Sequence, residues 1–251
     1  MTAIIIFFVA HWYLSLFCQT FYLHRYGAHK LFTMSPFWEK FFHLLTFISQ
    51  GSSYLSPRAY AVLHRMHHAY SDTENDPHSP HHADGLFDMM LKTKNIYNDY
   101  LNYRREPEER FAKDLPSFPF IDKIGDMWPI RIVFGTIYVL FYIYFMPAGL
   151  GWHNLLYLLL PIHFLMGPVH GAIVNWCGHM YGYSSYDNND KSKNSLVIDF
   201  LMGGELFQNN HHKHPLNLNF ATKWFELDPS YPIIKVLSIL GIIKVVKNPV
   251  A

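Results

Sequence analysis

The chain has 251 residues, with 20 Lys and Arg against 19 Asp and Glu and a formal charge of +1 when its 17 histidines are neutral. That balance offers no basic field for a nucleic acid. Half of the residues are hydrophobic, 18% are aromatic and 16% are charged, against about 25% charged in an ordinary soluble domain, so a membrane protein is the expected class. The two cysteines, Cys18 and Cys177, each lie in an apolar run and read as small buried hydrophobes rather than as a disulfide framework.

In chain order, residues 3–23 carry no charged side chain and are long enough to cross a bilayer. The run 41–55 is shorter, is interrupted by Gly51, Ser52 and Ser53, and suits an interfacial or re-entrant helix. Residues 84–128 are polar and rich in Lys and Glu, as a helical cap outside the membrane would be. The uncharged stretches 132–147 and 152–174, joined by the turn AGLG at 148–151, read as a helical hairpin through the membrane. All 20 basic residues fall at 25–131 or 191–247. By the positive-inside rule those two regions face the cytoplasm, and three spans satisfy the parity. The expected fold is therefore an all-α integral membrane protein. It has about three transmembrane helices (3–23, 132–147, 152–174) and one re-entrant or interfacial helix. A cytosolic helical cap (24–131 and 175–251) completes a single domain over residues 1–251.

Histidines cluster on that cytoplasmic side. HRYGAHK supplies His24 and His29, HRMHH supplies His64, His67 and His68, NWCGHMYGY supplies Asn175 and His179, and QNNHHKHP supplies Gln208, His211, His212 and His214. Residues at i, i+3 and i+4 share a helix face, so His64, His67 and His68 can address one metal or two adjacent ones. His24 and His29, five apart, do not stack on a straight α-helix. They fit if the helix end unwinds or if they address different metals. Neutral imidazole suits iron, zinc and copper. These groups hold no thiolate, which argues against iron–sulfur clusters and structural zinc. Eight grouped imidazoles exceed what one tetrahedral ion takes and match a dinuclear centre with open positions. His11, His43, His153, His163 and His170 lie in or near apolar runs and read as hydrogen-bonded packing residues, with a polar seam possible between His163 and His170. His78, His81 and His82 read as solvent-facing loop residues.

The four groups resemble, in order and spacing, the histidine boxes of the membrane fatty-acyl desaturases, and among them the stearoyl-CoA (delta-9) type in its bacterial form. The resemblance runs from about residue 20 to about residue 230 and includes DPHS after the second box. The family has four spans, and the resemblance aligns the start of this chain with the second. It implies a di-iron centre that uses O2, with His24, His29, His64, His67, His68, His179, His211 and His212 as ligands and Asn175 acting through a bound water. It also implies a cis double bond introduced into a saturated acyl chain carried as a thioester, most often acyl-CoA. Electrons would come from a separate ferredoxin- or cytochrome b5-like carrier, since no such module is present here. The implied location is a bacterial cytoplasmic membrane with the site on its cytoplasmic side. One position departs: the last box opens with Gln208 where the family has histidine. The amide oxygen, a water, His214 or Glu205 are the available substitutes, and an oxygen donor is harder and weaker for ferrous iron than imidazole. A lipid hydroxylase or ketolase of the same superfamily, a weakly active homologue and a histidine-lined metal transporter are the alternative functions.

Overall fold

The computed structural model describes residues 1–246. Its first helix, α1 (Thr2–Phe17), runs without a break into a π-helix (Cys18–Ala28), and together they form one 27-residue rod long and apolar enough to cross a membrane. The rod is longer than the charge-free run 3–23, because the widened segment carries His24 and Arg25 onward as helix. After β1 (Phe32–Met34) come α2 (Pro36–Gln50), α3 (Pro57–Tyr70), α4 (Leu86–Leu101), α5 (Pro119–Gly125) and α6 (Trp128–Phe145). Ser-Pro pairs open α2 and α3. The Ser35 and Ser56 hydroxyls accept the Trp38 and Ala59 amides, and the proline takes the first helical position, where no amide hydrogen is needed. The helix α6 is 18 residues long and exposes Ile132, Val133, Ile137, Leu140 and Ile143, the surface of a lipid-facing span.

The expected third span is not straight. A 3₁₀ segment (Trp152–Leu159) and the short α7 (Leu160–Phe164) meet α8 (Met166–Met180) at an 80° bend. Pro161 and Pro168 flank the bend, and each lacks the amide that an unbroken helix needs. Counted as one element, the bent pair gives three candidate spans; without it there are two. The run expected as 41–55 begins earlier, at Pro36, and ends at Gln50, where Gly51 leaves the helix at a φ of 51°. It presents Phe37, Phe41, Leu44 and Ile48 as one exposed stripe and buries Phe42, Thr46 and Phe47 on the other face, as an interfacial helix does. Past α8 the chain is largely irregular until α9 (Gln208–Lys213) and α10 (Ser230–Ile239), and β2 (Ile243–Val245) returns to pair antiparallel with β1, Phe32 opposite Val245. The sequence pattern gave no indication of this ribbon, which clamps the C-terminal segment against the root of the first helix.

The core beneath the cap is aromatic. Phe21, Tyr22, Tyr26, Phe32 and Phe42 pack with Leu23, Leu31, Ile234 and Ile243. A second cluster of Trp12, Leu16, Met166, Val174, Met202 and Leu206 joins the rod to α8 and to the loop that precedes α9. Arg65, on α3, donates to the carbonyls of Gly27, Ala28, Phe111 and Lys113 and so ties that helix to the end of the π-helix.

Candidate metal centre

The π-helix resolves the five-residue spacing of the first pair. Its hydrogen bonds run from residue i+5 to i, and the His29 amide donates to the His24 carbonyl at 3.1 Å. One wide turn therefore brings both rings to the same side, with centroids 4.9 Å apart, and the two address one site rather than two. On α3, ordinary α-helical spacing carries His64 and His68 to that site and turns His67 to a neighbouring one. On α9, the adjacent pair His211 and His212 divides in the same way.

Two groups result. His24, His29, His64, His68 and His211 place their donor nitrogens within 4.8 Å of one another, and His67, His179 and His212 do the same. The inward atoms of the first group are Nε2 throughout: His29 to His64 is 2.8 Å, and His24 to His211, His68 to His64 and His68 to His211 are each 3.0 Å. In the second group, His67 Nε2 lies 3.2 Å from His212 Nε2. Metal–nitrogen bonds of about 2.1 Å place neighbouring octahedral ligands about 3.0 Å apart, so these separations fit imidazoles arranged around an ion. His179 Nε2 is buried with no hydrogen-bond partner among the described residues, the state of a donor reserved for a ligand.

Carboxylates orient the rings from behind. Nδ1 of His24 lies 2.7 Å from Glu205, that of His67 2.9 Å from Asp76, that of His179 2.9 Å from Asp72 and that of His212 2.7 Å from Asp190. Such a partner fixes the tautomer with Nε2 free and raises its basicity. Glu205 is itself held by Arg25, which is fully buried, donates to Glu205 at 3.1 Å and to Asp228 at 2.8 Å, and lies 3.7 Å from the centre of the Phe220 ring. Gly204, at a φ of 93°, turns the chain so that Glu205 reaches His24; a Cβ there would lie 2.4 Å from an Asp228 oxygen.

Burial and the crowding of neighbouring imidazoles hold the pKa of His29, His64, His68 and His211 well below the ordinary histidine value. Burial likewise lowers His212 to about 4, against the pull of Asp190. Neutral rings are the form that binds metal. His67 is the exception. Burial lowers it, but the charge and hydrogen bonds of Asp76 outweigh burial and raise it. Burial alone would raise Asp72, Asp76 and Asp190, but their histidine partners and nearby amides hold all three below the usual carboxylate range.

The eight expected ligands thus converge from four separated segments. Of the two remaining candidates, Asn175 is half-buried one turn before His179. Gln208 is buried against Gly178, where a Cβ would lie 2.4 Å from its Cγ, and its amide nitrogen donates to the Glu205 carbonyl at 2.6 Å. The substitutes considered for the missing histidine stand elsewhere: Glu205 backs His24, and His214 packs its ring against Tyr186, 5.0 Å away. The reading of His78 as solvent-facing is corrected. It is buried, its ring lies 4.3 Å from that of His67, and with His67 and Asp76 it forms a third, overlapping metal-capable group. The loop is held inward rather than out in solvent: Thr93 on α4 donates to the Pro77 carbonyl at 3.1 Å, and the His78 amide donates to Asp76 at 3.0 Å. His82 is exposed as expected, and half-buried His81 bonds the His179 carbonyl at 3.1 Å. The apolar-run histidines behave mostly as packing residues. His43 bonds Tyr22, Tyr54 and Asp122, and His11 meets His163, which reaches Tyr142. The orienting role of Asp72, Asp76, Asp190 and Glu205 was not legible, although Asp76 stands in DPHS and Glu205 was weighed as a substitute ligand. The only sequence signal was their closeness to the boxes.

Fold and site together define a helical membrane protein whose cap gathers histidines into adjoining metal-capable groups at the root of its stem. The chain matches the fatty acid desaturase family over residues 1–237 and belongs to that family, which makes it an oxidoreductase acting on fatty acyl chains. It is 28% identical to a hex-5-enoyl-(acyl-carrier protein) acetylenase of Moorena producens over 97% of this chain and 76% of that protein. It is 28% identical to an sn-1 stearoyl-lipid 9-desaturase of Synechocystis over 90% of this chain and 66% of that one. An acyl-CoA 5-desaturase of Anemone leveillei is 26% identical over 93% of this chain and 68% of its own length. The chain spans about two thirds to three quarters of these relatives.

Proposed function

We propose that this protein is an O2-dependent di-iron desaturase that introduces a cis double bond, at the delta-9 position, into a saturated acyl chain carried as a thioester, with acyl-CoA as the carrier. The observation that carries this reading is the convergence of eight imidazoles, from four segments up to 188 residues apart, into two adjoining groups with Nε2 inward. The proposed iron ligands are His24, His29, His64, His68 and His211 in one group and His67, His179 and His212 in the other, with Asn175 acting through water and Gln208 one helical turn before His212. Two irons bound there supply the reduction of O2 to two waters, with two electrons and two protons from outside and two hydrogens from the acyl chain. Donor count supports iron over structural zinc, because a site of five imidazoles exceeds zinc's usual four ligands.

The residues of the chain then have three tasks. Glu205, Asp76, Asp72 and Asp190 hold the rings in the tautomer that presents Nε2. Phe220, packed on the rings of His24 and His211, and Tyr60, stacked on His64, keep bulk water from that side of the first group, which protects an oxidising centre from side reactions. The surrounding apolar stem offers the wall against which a chain is held so that one C–C bond meets the centre. Electrons come from a separate carrier protein. The distribution of basic residues supports a site on the cytoplasmic side of a bacterial inner membrane. A metal transporter would spread its histidines through the spans, whereas these gather at one end of the stem.

The test is expression in a host lacking its own desaturase, with iron analysis of the purified protein and profiling of the host lipids. Two irons per chain and a new cis-monoene are expected, and His67→Ala should lose the monoene together with the iron of the second group. A hydroxylated or keto product would assign the chain to the oxygenating branch instead. Protein that folds without iron would end the proposal.

A further inference from the structure

We propose that the two metal positions are unequal by construction: the five-imidazole group holds its iron tightly, and the three-imidazole group holds its iron weakly and exchangeably because Gln208 withholds a fourth nitrogen. This inference rests on the di-iron reading above. The comparison that carries it is internal to the chain. On α3, residues at i, i+3 and i+4 are His64, His67 and His68, and all three enter the metal groups. On α9 the same spacing is filled by Gln208, His211 and His212; the two histidines enter the metal groups, and Gln208 has no imidazole to offer. On α3 the residues at i and i+4, His64 and His68, share a group, so on α9 position 208 goes with His212 of the weaker group; Gln208 is buried there against Gly178. Its amide nitrogen is committed to the Glu205 carbonyl, which leaves one neutral oxygen, a poorer donor to ferrous iron than imidazole.

A compensating term exists. All three rings of the second group are backed by a carboxylate, whereas in the first group only His24 is. Outer partners of this kind change metal affinity about 10- to 100-fold each, but they strengthen bonds already made and add no donor. The first group has two more imidazoles, and each is a complete metal bond. Donor count therefore decides the order.

The experiment is stepwise extraction of iron from the holoprotein in nanodiscs, dialysed against graded ferrous chelator. Iron per chain is read by elemental analysis, and the remaining ion by Mössbauer spectroscopy. Loss in two steps is expected, the first at a chelator strength at least about tenfold below the second. Gln208→His should move the first step toward the second by about tenfold or more and leave the second in place. Asp190→Asn, which frees His212, should weaken the first step alone and serves if the histidine variant does not fold. Two irons leaving together, or a Gln208→His profile identical to wild type, overturns the inference and leaves the di-iron reading standing. A folded protein that holds no iron overturns both.

Discussion

Glu205→Gln tests whether a buried carboxylate both orients a metal ligand and holds the fold. Glu205 is almost fully buried, lies 2.7 Å from His24 Nδ1, and receives Arg25 at 3.1 Å and the Thr20 hydroxyl. Burial alone would raise its pKa, but the charges and hydrogen bonds of His24 and Arg25 outweigh this and hold it below the ordinary glutamate value, so it is ionised at neutral pH. Glutamine keeps the volume and one acceptor oxygen but removes the charge. Arg25 then has only Asp228 as a counter-ion, and one charge-assisted hydrogen bond is lost, worth about 1.5–3 kcal/mol. For a chain of this size each kcal/mol moves the melting temperature by about 2–4 °C, so a fall of roughly 3–12 °C is expected. Removing the orienting partner of His24 should also cost about 10- to 100-fold in iron affinity. Glu205→Ala should be worse, about 3–5 kcal/mol, because it removes one partner of a buried ion pair and also the acceptor oxygens beside Arg25 Nη1 and His24. The assays are thermal unfolding in nanodiscs and iron content after dialysis at fixed chelator. If Glu205→Gln matches wild type in both, the carboxylate orients nothing and the Glu205–Arg25–Asp228 chain is only filling.

Gly178→Ala places a methyl group 2.4 Å from Gln208 Cγ. It should displace the start of α9 at a cost of about 1–3 kcal/mol, and circular dichroism melting together with iron content should fall in parallel. Stability of the metal-free protein should drop as pH falls below about 6.5, the unfolded histidine value. His29, His64, His68, His78, His211 and His212 all have lowered folded pKa values. The unfolded chain therefore takes up protons that the native one refuses, at about 1.4 kcal/mol per pH unit for each group. His67, raised by Asp76, works in the opposite sense, with stability lost as pH rises through its folded value. The carboxylates Asp72, Asp76 and Asp190 are depressed and add loss only below about pH 4. A denaturant midpoint that stays flat between pH 7 and 5 would contradict this ordering. Iron release should follow the same acid limb, since protons compete for the nitrogens.

Composition and charge-free runs by themselves determined a membrane stem with a polar cap, because crossing a bilayer requires about 20 apolar residues. The histidine boxes were equally legible, since i, i+3, i+4 spacing fixes a helical face whatever lies around it. Three things were decided only by the tertiary structure. The π-helical widening at Cys18–Ala28 put His24 and His29 into one site, a backbone choice that residue types do not encode locally. The inward fold of the Pro77–Pro80 loop buried His78 against His67, which depends on packing over α3. The pairing of Glu205 with His24 across 181 residues and of His179 with Asp72 across 107 is long-range contact with no periodic signature. Local spacing fixes which side chains share a face. Only the packed chain fixes what that face meets.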